Sequence, residues 1–270
     1  MGLAAHTVGI IGAGNMGRAI AAGLARASGM ARIRVFDTDR KKSEALLRDL
    51  AVEASTSIGD LAAVCDIIII AVKPDALASV LKELVGLPSG ELLVSIVAGA
   101  STESMEKALP PARKLVRAMP NTPALVGEGM TVLAPGTHAD AAAMALAGEL
   151  FSHIGKTLVL PERLMDAVTG LSGSGPAFVF TMIQAMADGG VKTGIPREQA
   201  LLLAAQTVLG AARMVLETGE DPAVLRARVA SPGGTTIEGL HALERAGFSG
   251  IVMDAVESAA LKSARLGGKK

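Results

Sequence analysis

Tryptophan and tyrosine are absent from this 270-residue chain, and aromatic residues make up only 2% of it. Every tyrosine-based mechanism is therefore excluded. A single cysteine, Cys65, rules out a disulfide within the chain, and a reducing cytoplasm is its expected home. Cys65 borders the apolar residues 67–70, where a buried, inert thiol is expected rather than a nucleophile. The four histidines, His6, His138, His153 and His241, are scattered without metal-ligand spacing, so no metal is expected. A formal net charge of +0 lacks the basic excess of a nucleic-acid binder. No apolar run approaches the roughly 20 residues of a membrane span. The first residues, MGLAAHTVGIIGAG, pass into a strand pattern without the apolar stretch of a secretory leader. A soluble protein with no membrane partner is expected.

What is present is apolar material in quantity: 50% of residues are hydrophobic and 19% charged, enough for one large core or two smaller ones. In the first half, β-type apolar runs at residues 7–11, 33–36, 66–72, 92–97 and 114–118 alternate with helical patterns at 15–27, 40–50 and 75–85. Continuous apolar strands between helices predict a parallel sheet covered on both faces. Residues 130–134 and 157–160 can extend that sheet, with 139–151 as the helix between them. From residue 162 onward the pattern is wholly helical, with breaks at 170–175, 194–196, 218–222, 231–234 and 246–250. Stretches such as 177–186 and 200–214 are apolar almost all round, and a domain this small cannot bury them by itself. The expected organisation is residues 1–161 as an α/β dinucleotide-binding domain and residues 162–270 as an all-helical domain that packs against its own copy.

VGIIGAGNMG places G-x-G-x-x-G directly after a strand and before a helix. Gly12 permits the tight turn, Gly14 lets backbone approach a pyrophosphate, and Gly17 lets helix and strand pack closely. Ile11, Ala13, Asn15 and Met16 complete the loop, and the helix N-terminus offers free N–H donors. Asp37 ends the second strand, twenty residues beyond Gly17, where a Rossmann-type fold reads the cofactor ribose. Its carboxylate favours NADH, whereas the following Thr38, Arg40, Lys41 and Lys42 could receive the extra phosphate of NADPH, so both cofactors remain open. Ala71, Val72, Lys73 and Pro74 follow a strand end facing the ligand crevice. Val97, Ala98 and Gly99 are small enough for a nicotinamide ring to lie close, and Asn121, bracketed by prolines in RAMPNTP, offers a fixed amide.

Two Gly/Ser turns mark the helical half. In LSGSGPAF, Ser174, Gly175 and Pro176 open a helix at a position that suits proline. ASPGGTTIEGL repeats the design: Ser231 is expected to cap, Gly233 and Gly234 expose backbone N–H groups, and Thr235 and Thr236 add hydroxyls. Uncharged donors converging on a helix start suit a small carboxylate.

Taken together, GAGNMG, AVKP, RAMPNTP, LSGSGPAF and ASPGGTTIEGL resemble, in order and spacing, the Δ1-pyrroline-5-carboxylate reductase family over nearly the whole chain. The resemblance implies reduction of the cyclic imine pyrroline-5-carboxylate to L-proline by NADPH or NADH, the last step of proline biosynthesis. It also implies an intertwined homodimer, often assembled into a decamer of five dimers. By carry-over, residues 12–17, Thr38, residues 71–74 and 97–99 contact cofactor, while Ser231, Gly234, Thr235 and Thr236 hold the substrate carboxylate. Asp37 departs from the small hydroxyl residue of many members. Two alternatives are a β-hydroxyacid dehydrogenase-like oxidoreductase and a non-catalytic dinucleotide-binding sensor. The first needs a lysine where this chain has Val179, a valine expected to be buried and unable to act as the acid. The second has little need of a second anion site.

Overall fold

In the computed structural model, residues 2–26, 32–86 and 92–268 are described. Three β–α pairs open the chain: β1 (Thr7–Ile11) and α1 (Asn15–Arg26), β2 (Arg32–Phe36) and α2 (Arg40–Asp49), β3 (Glu53–Ala54) and α3 (Ile58–Ala62). Then come β4 (Ile67–Ile70) and α4 (Pro74–Leu84), β5 (Leu92–Ser95) and α5 (Thr102–Glu106), and β6 (Leu115–Met119). β7 (Gly129–Pro135), α6 (Ala141–Ser152) and β8 (Gly155–Val159) complete the sheet. Ala27, the last residue of the expected first helix, lies outside the described residues.

The strands form one sheet in the order β3-β2-β1-β4-β5-β6-β7-β8. All neighbours are parallel except β6 and β7, which pair antiparallel from Val116 against Pro135 to Met119 against Val132. The five strands expected to form a parallel sheet do so; the extension through β7 joins antiparallel because the short connection through residues 120–128 carries no crossover helix of the kind a parallel neighbour needs. The order departs from β1 in both directions, so the ends of β1 and β4 form the topological switch point where such sheets bind ligands.

Burial explains why the strands read as unbroken apolar runs. Ile67 and Ile69 face one layer with Ile20, Leu24 and Phe151. Ile68 and Ile70 face the other with Leu61, Leu81 and Met105. Each of these four isoleucines is fully buried because successive side chains point to opposite faces, each covered by helices. Cys65 lies in the second layer, and its burial pushes the thiol pKa up to about 12, leaving a protonated sulfur.

By compactness the chain forms two units, Met1–Ser174 with Glu257–Lys270, and Gly175–Val256. Beyond the sheet lie α7 (Met165–Val168), a π turn (Thr169–Gly173), α8 (Gly175–Lys192), α9 (Arg197–Thr218), α10 (Pro222–Val229), α11 (Thr235–Arg245) and α12 (Phe248–Leu266). The break expected at 170–175 is corrected to a wider helical turn, closed where the Ser174 N–H donates to the Thr169 carbonyl at 2.8 Å. α8 and α9 pack through Ala187, Ala200 and Ala204. Gly190 permits the approach, since a Cβ there would sit 3.1 Å from that of Ala200. One expectation fails here: α9 is, by length and composition, apolar enough to cross a membrane. Arg213 interrupts its apolar run without shortening the helix.

Candidate functional site

The glycine loop after β1 is fixed by the three glycines in different ways. Gly12 adopts φ +108°, and a Cβ there would lie 2.4 Å from the Ala71 carbonyl oxygen, so both conformation and space demand glycine. At Gly17 a Cβ would meet the Gly12 carbonyl oxygen at 1.9 Å, which sets how closely α1 returns over the loop. Gly14 has nothing within 4 Å of its missing Cβ. It is exposed, and its bareness serves no internal packing. That open cradle at the switch point fits a pyrophosphate approaching backbone.

The loop is laced to its neighbours. The Gly12 N–H donates to the Phe36 carbonyl and the Ala71 N–H to the Ile11 carbonyl, each at 2.8 Å. Asp37 Oδ2 accepts the Ala13 N–H at 2.7 Å, and Oδ1 accepts the Asp39 N–H at 2.8 Å. The amides of Gly12 and Ala13 are therefore engaged within the protein, leaving those of Gly14, Asn15 and Met16 at the start of α1 for an anion. Thr38 is exposed next to this arrangement.

Ala71 and Val72 lie just past β4, and Lys73 precedes α4 as its N-cap, with Pro74 in the first turn. The strand expected over residues 66–72 is shorter because Pro74 fixes the helix start. Lys73 is exposed and has no ion-pair partner among the described residues. On the adjacent strand end, Val97 is buried, Ala98 exposed, and Gly99 adopts φ +76° against the chain's C-terminal end. A Cβ at Gly99 would sit 3.3 Å from the Gly267 nitrogen.

Asn121 is fixed, but by internal bonds. Its Oδ1 accepts the Met130 N–H at 2.8 Å, and its Nδ2 donates to the Ser172 carbonyl at 3.1 Å. In a helix the Ser172 carbonyl would accept from residue 176, which is Pro176 and has no N–H. The amide of Asn121 takes the place of that missing donor, so RAMPNTP and LSGSGPAF complete each other's hydrogen bonding. Ser172 was not among the expected site residues; a proline four residues beyond a carbonyl was the available signal.

A second missed cluster surrounds Arg117, a charge 3% exposed in the middle of β6. Its guanidinium meets Glu162 Oε1 at 3.0 Å, and Glu162 also accepts bonds from the Thr102 amide and hydroxyl. Burial alone would push the Glu162 carboxyl up; Thr102 and Arg117 outweigh it and hold the group below its ordinary value. A charged residue inside an apolar strand was the sequence signal that a partner had to exist.

In the helical unit, α11 starts at Thr235 with Gly234 as its N-cap and no side chain capping it. Ser231 was expected to cap, and this is corrected: its hydroxyl oxygen lies 2.3 Å from where a Gly234 Cβ would be. Gly233 takes φ +67°, and the Gly234 N–H closes the turn onto the Ser231 carbonyl at 3.1 Å. The first N–H groups of α11 thus stand open beside the hydroxyls of Thr235 and Thr236. The uncapped end is what an anion site requires.

Another concavity lies at the opposite, N-terminal strand ends, lined by His6, Asp66, Lys114 and Glu149 among others. Its polar groups are already used: Glu149 accepts the Leu3 N–H at 2.9 Å, Asp66 the Thr7 N–H at 2.7 Å, and Lys114 pairs with Asp140 at 2.8 Å. It includes none of the motif residues.

Residues 162–266 match the family model described as pyrroline-5-carboxylate reductase dimerisation, and residues 7–99 match one described as NADP oxidoreductase, coenzyme F420-dependent. The pyrroline-5-carboxylate reductase of Methanosarcina acetivorans is 46% identical over 267 residues, covering 97% of this chain and 98% of that protein. The chain belongs to the pyrroline-5-carboxylate reductase family. The reductase of Escherichia coli is 44% identical over 263 residues, with 96% and 97% covered. The solved structure of the Plasmodium falciparum pyrroline carboxylate reductase with NADP bound superposes with a TM-score of 0.89 at 34% identity, covering 98% of this chain and all of that one.

Family and fold therefore agree on a Rossmann-type α/β N-terminal half and an all-α C-terminal dimerisation region. The dehydrogenase alternative needs an acid at position 179, and the aliphatic side chain of Val179 has no proton to give. The expectation that Val179 is buried is corrected: it is 41% exposed in the single chain. It faces outward because α8 has few packing partners within its own chain.

Proposed function

We propose that this chain reduces pyrroline-5-carboxylate to L-proline with NADH or NADPH. The observation that carries the reading is the 46% identity to a pyrroline-5-carboxylate reductase across 97% of the chain. Residues 1–161 take the dinucleotide and residues 162–270 take the imine and form the dimer. The loop of Ile11, Gly12, Ala13, Gly14, Asn15, Met16 and Gly17 holds the pyrophosphate. Asp37 and Thr38 hold the ribose, and Ala71, Val72, Lys73 and Pro74 flank the cofactor together with Val97, Ala98 and Gly99. Asn121 acts through Ser172 and Met130, holding the turn that carries Ser174, Gly175 and Pro176. Ser231, Gly233, Gly234, Thr235 and Thr236 hold the carboxylate.

The reduced nicotinamide supplies a hydride when bound. A carbonyl so reduced becomes an alkoxide and needs an acid, whereas a protonated imine becomes a neutral secondary amine and needs none at that moment. The chain then has to hold two rings and one carboxylate in register. Thr236 and the open amides of α11 anchor the carboxylate, and the Gly14 cradle anchors the other partner. This suits a protein without tyrosine. Five dimers assembled as a decamer, working in the cytoplasm, complete the proposal.

The test mixes purified protein with pyrroline-5-carboxylate and each cofactor in turn. Imine-dependent loss of cofactor absorbance supports the reductase. Cofactor binding without turnover supports the sensor alternative instead.

A further inference from the structure

Asp37 is held from two sides by the backbone. One carboxylate oxygen receives the Ala13 N–H and the other the Asp39 N–H. Turning the side chain away would break both bonds and strand the amide of Ala13, which is only 7% exposed. The carboxylate is therefore a fixed negative charge at the end of β2, beside the loop that takes the dinucleotide. Two of the cations that could offset an added phosphate stand beside other carboxylates. Arg18 pairs with Asp49, and Lys42 lies 3.9 Å from Asp39. Asp39 itself caps α2 by accepting the Lys41 N–H at 3.1 Å, which adds a second carboxylate to the same corner. Arg40 and Lys41 are exposed, where water and salt screen them.

We infer that Asp37 is a specificity-determining residue that makes this chain prefer NADH over NADPH. A ribose 2′-hydroxyl can donate a hydrogen bond to the pinned carboxylate, whereas a 2′-phosphate meets like charge that cannot swing aside. The inference rests on the reading that the Gly14 loop takes a nicotinamide dinucleotide. It adds which of the two dinucleotides is selected, and by which atoms.

The test is direct binding, without turnover, to the full-length assembled protein. NADH and NADPH are titrated by nicotinamide fluorescence, with AMP and 2′,5′-ADP as competitors that isolate the ribose end. The expected result is NADH bound at least about tenfold tighter than NADPH, with AMP displacing NADH better than 2′,5′-ADP does. Asp37→Ser should bring the ratio to within about threefold or invert it, mainly by tightening NADPH. Asp37→Asn keeps one acceptor for the Ala13 N–H while removing the charge, so it separates charge from loop support should the serine variant fold poorly. It should relax discrimination as well. Equal or tighter NADPH binding by the unaltered protein, or an unchanged ratio in Asp37→Asn, would overturn the inference while leaving the dinucleotide site intact. Binding of neither nucleotide would overturn both.

Discussion

The sheet and the helices of this chain solve the burial problem in opposite ways. In the sheet, Ile67 to Ile70 disappear between two helical layers, and the core closes within one chain. In the helical unit, small residues make the contact between α8 and α9, while Phe180, Leu202 and Met253 stay 63%, 70% and 70% exposed. Apolar side chains left open on this scale mark a surface that another molecule covers, and the match to a dimerisation family model over residues 162–266 identifies that molecule as a second copy. The same contrast explains why α9 passes a length-and-composition test for a membrane helix: an uncovered dimer face and a lipid-facing face look alike in composition. One half carries a finished scaffold for the cofactor, and the other is finished only by association.

The largest effect should come from breaking the unfinished half. Leu202→Glu combined with Met253→Glu should weaken self-association by at least about 2 kcal/mol. Light scattering at micromolar concentration would show monomer, with the sheet's circular dichroism retained. Damage to the finished half should instead unfold it. Gly17→Ala forces a Cβ onto the Gly12 carbonyl and should cost about 3 kcal/mol, read as a lower melting temperature with cofactor binding lost.

A smaller, pH-dependent effect belongs to Glu162. Because its carboxyl sits below the ordinary value when folded, its stabilising contribution is present above the unfolded value and is lost as pH falls through the folded one. Glu162→Gln should therefore melt lower than the unaltered protein at neutral pH. The gap should shrink as pH falls below the ordinary glutamate range and through the lowered folded-state value. A gap independent of pH would assign the loss to packing.

Asn121→Ala should cost about 1 kcal/mol through the Ser172 carbonyl alone. Restoring an N–H with Pro176→Ala should recover part of that loss in a double-mutant cycle. Additive losses would mean that the amide of Asn121 does not substitute for the donor that proline lacks. Smallest in stability is Gly14→Ala, within about 0.5 kcal/mol because its Cβ meets nothing. Its effect should appear only as weaker cofactor binding.

Much of this was legible in the sequence because it is local. Strand and helix patterns, the glycine loop and the helical second half follow from periodicity and turn chemistry within short windows. What escaped depends on distance along the chain. β3 is two exposed residues that become a strand only by pairing with Arg34 and Val35. The bond from Ser263 to Asp166 at 2.9 Å spans 97 residues. The π turn escaped because proline and glycine, which normally stop a helix, are accommodated here by a side chain from another loop. At the site, the glycines were readable, but the engagement of Asp37 with Ala13 was not, since a carboxylate after a strand points equally well to ribose or backbone.

The division of labour between the two halves is tested most directly by the Michaelis constants of Thr236→Ala for each reactant. Thr236 lies at the open start of α11, in a different unit from the Gly14 loop. The account predicts a KM for pyrroline-5-carboxylate raised by about tenfold or more, as for a lost hydrogen bond to a charged group, with the KM for NADH unchanged within about twofold. An unchanged KM for the imine, or an equal rise for both reactants, would contradict it.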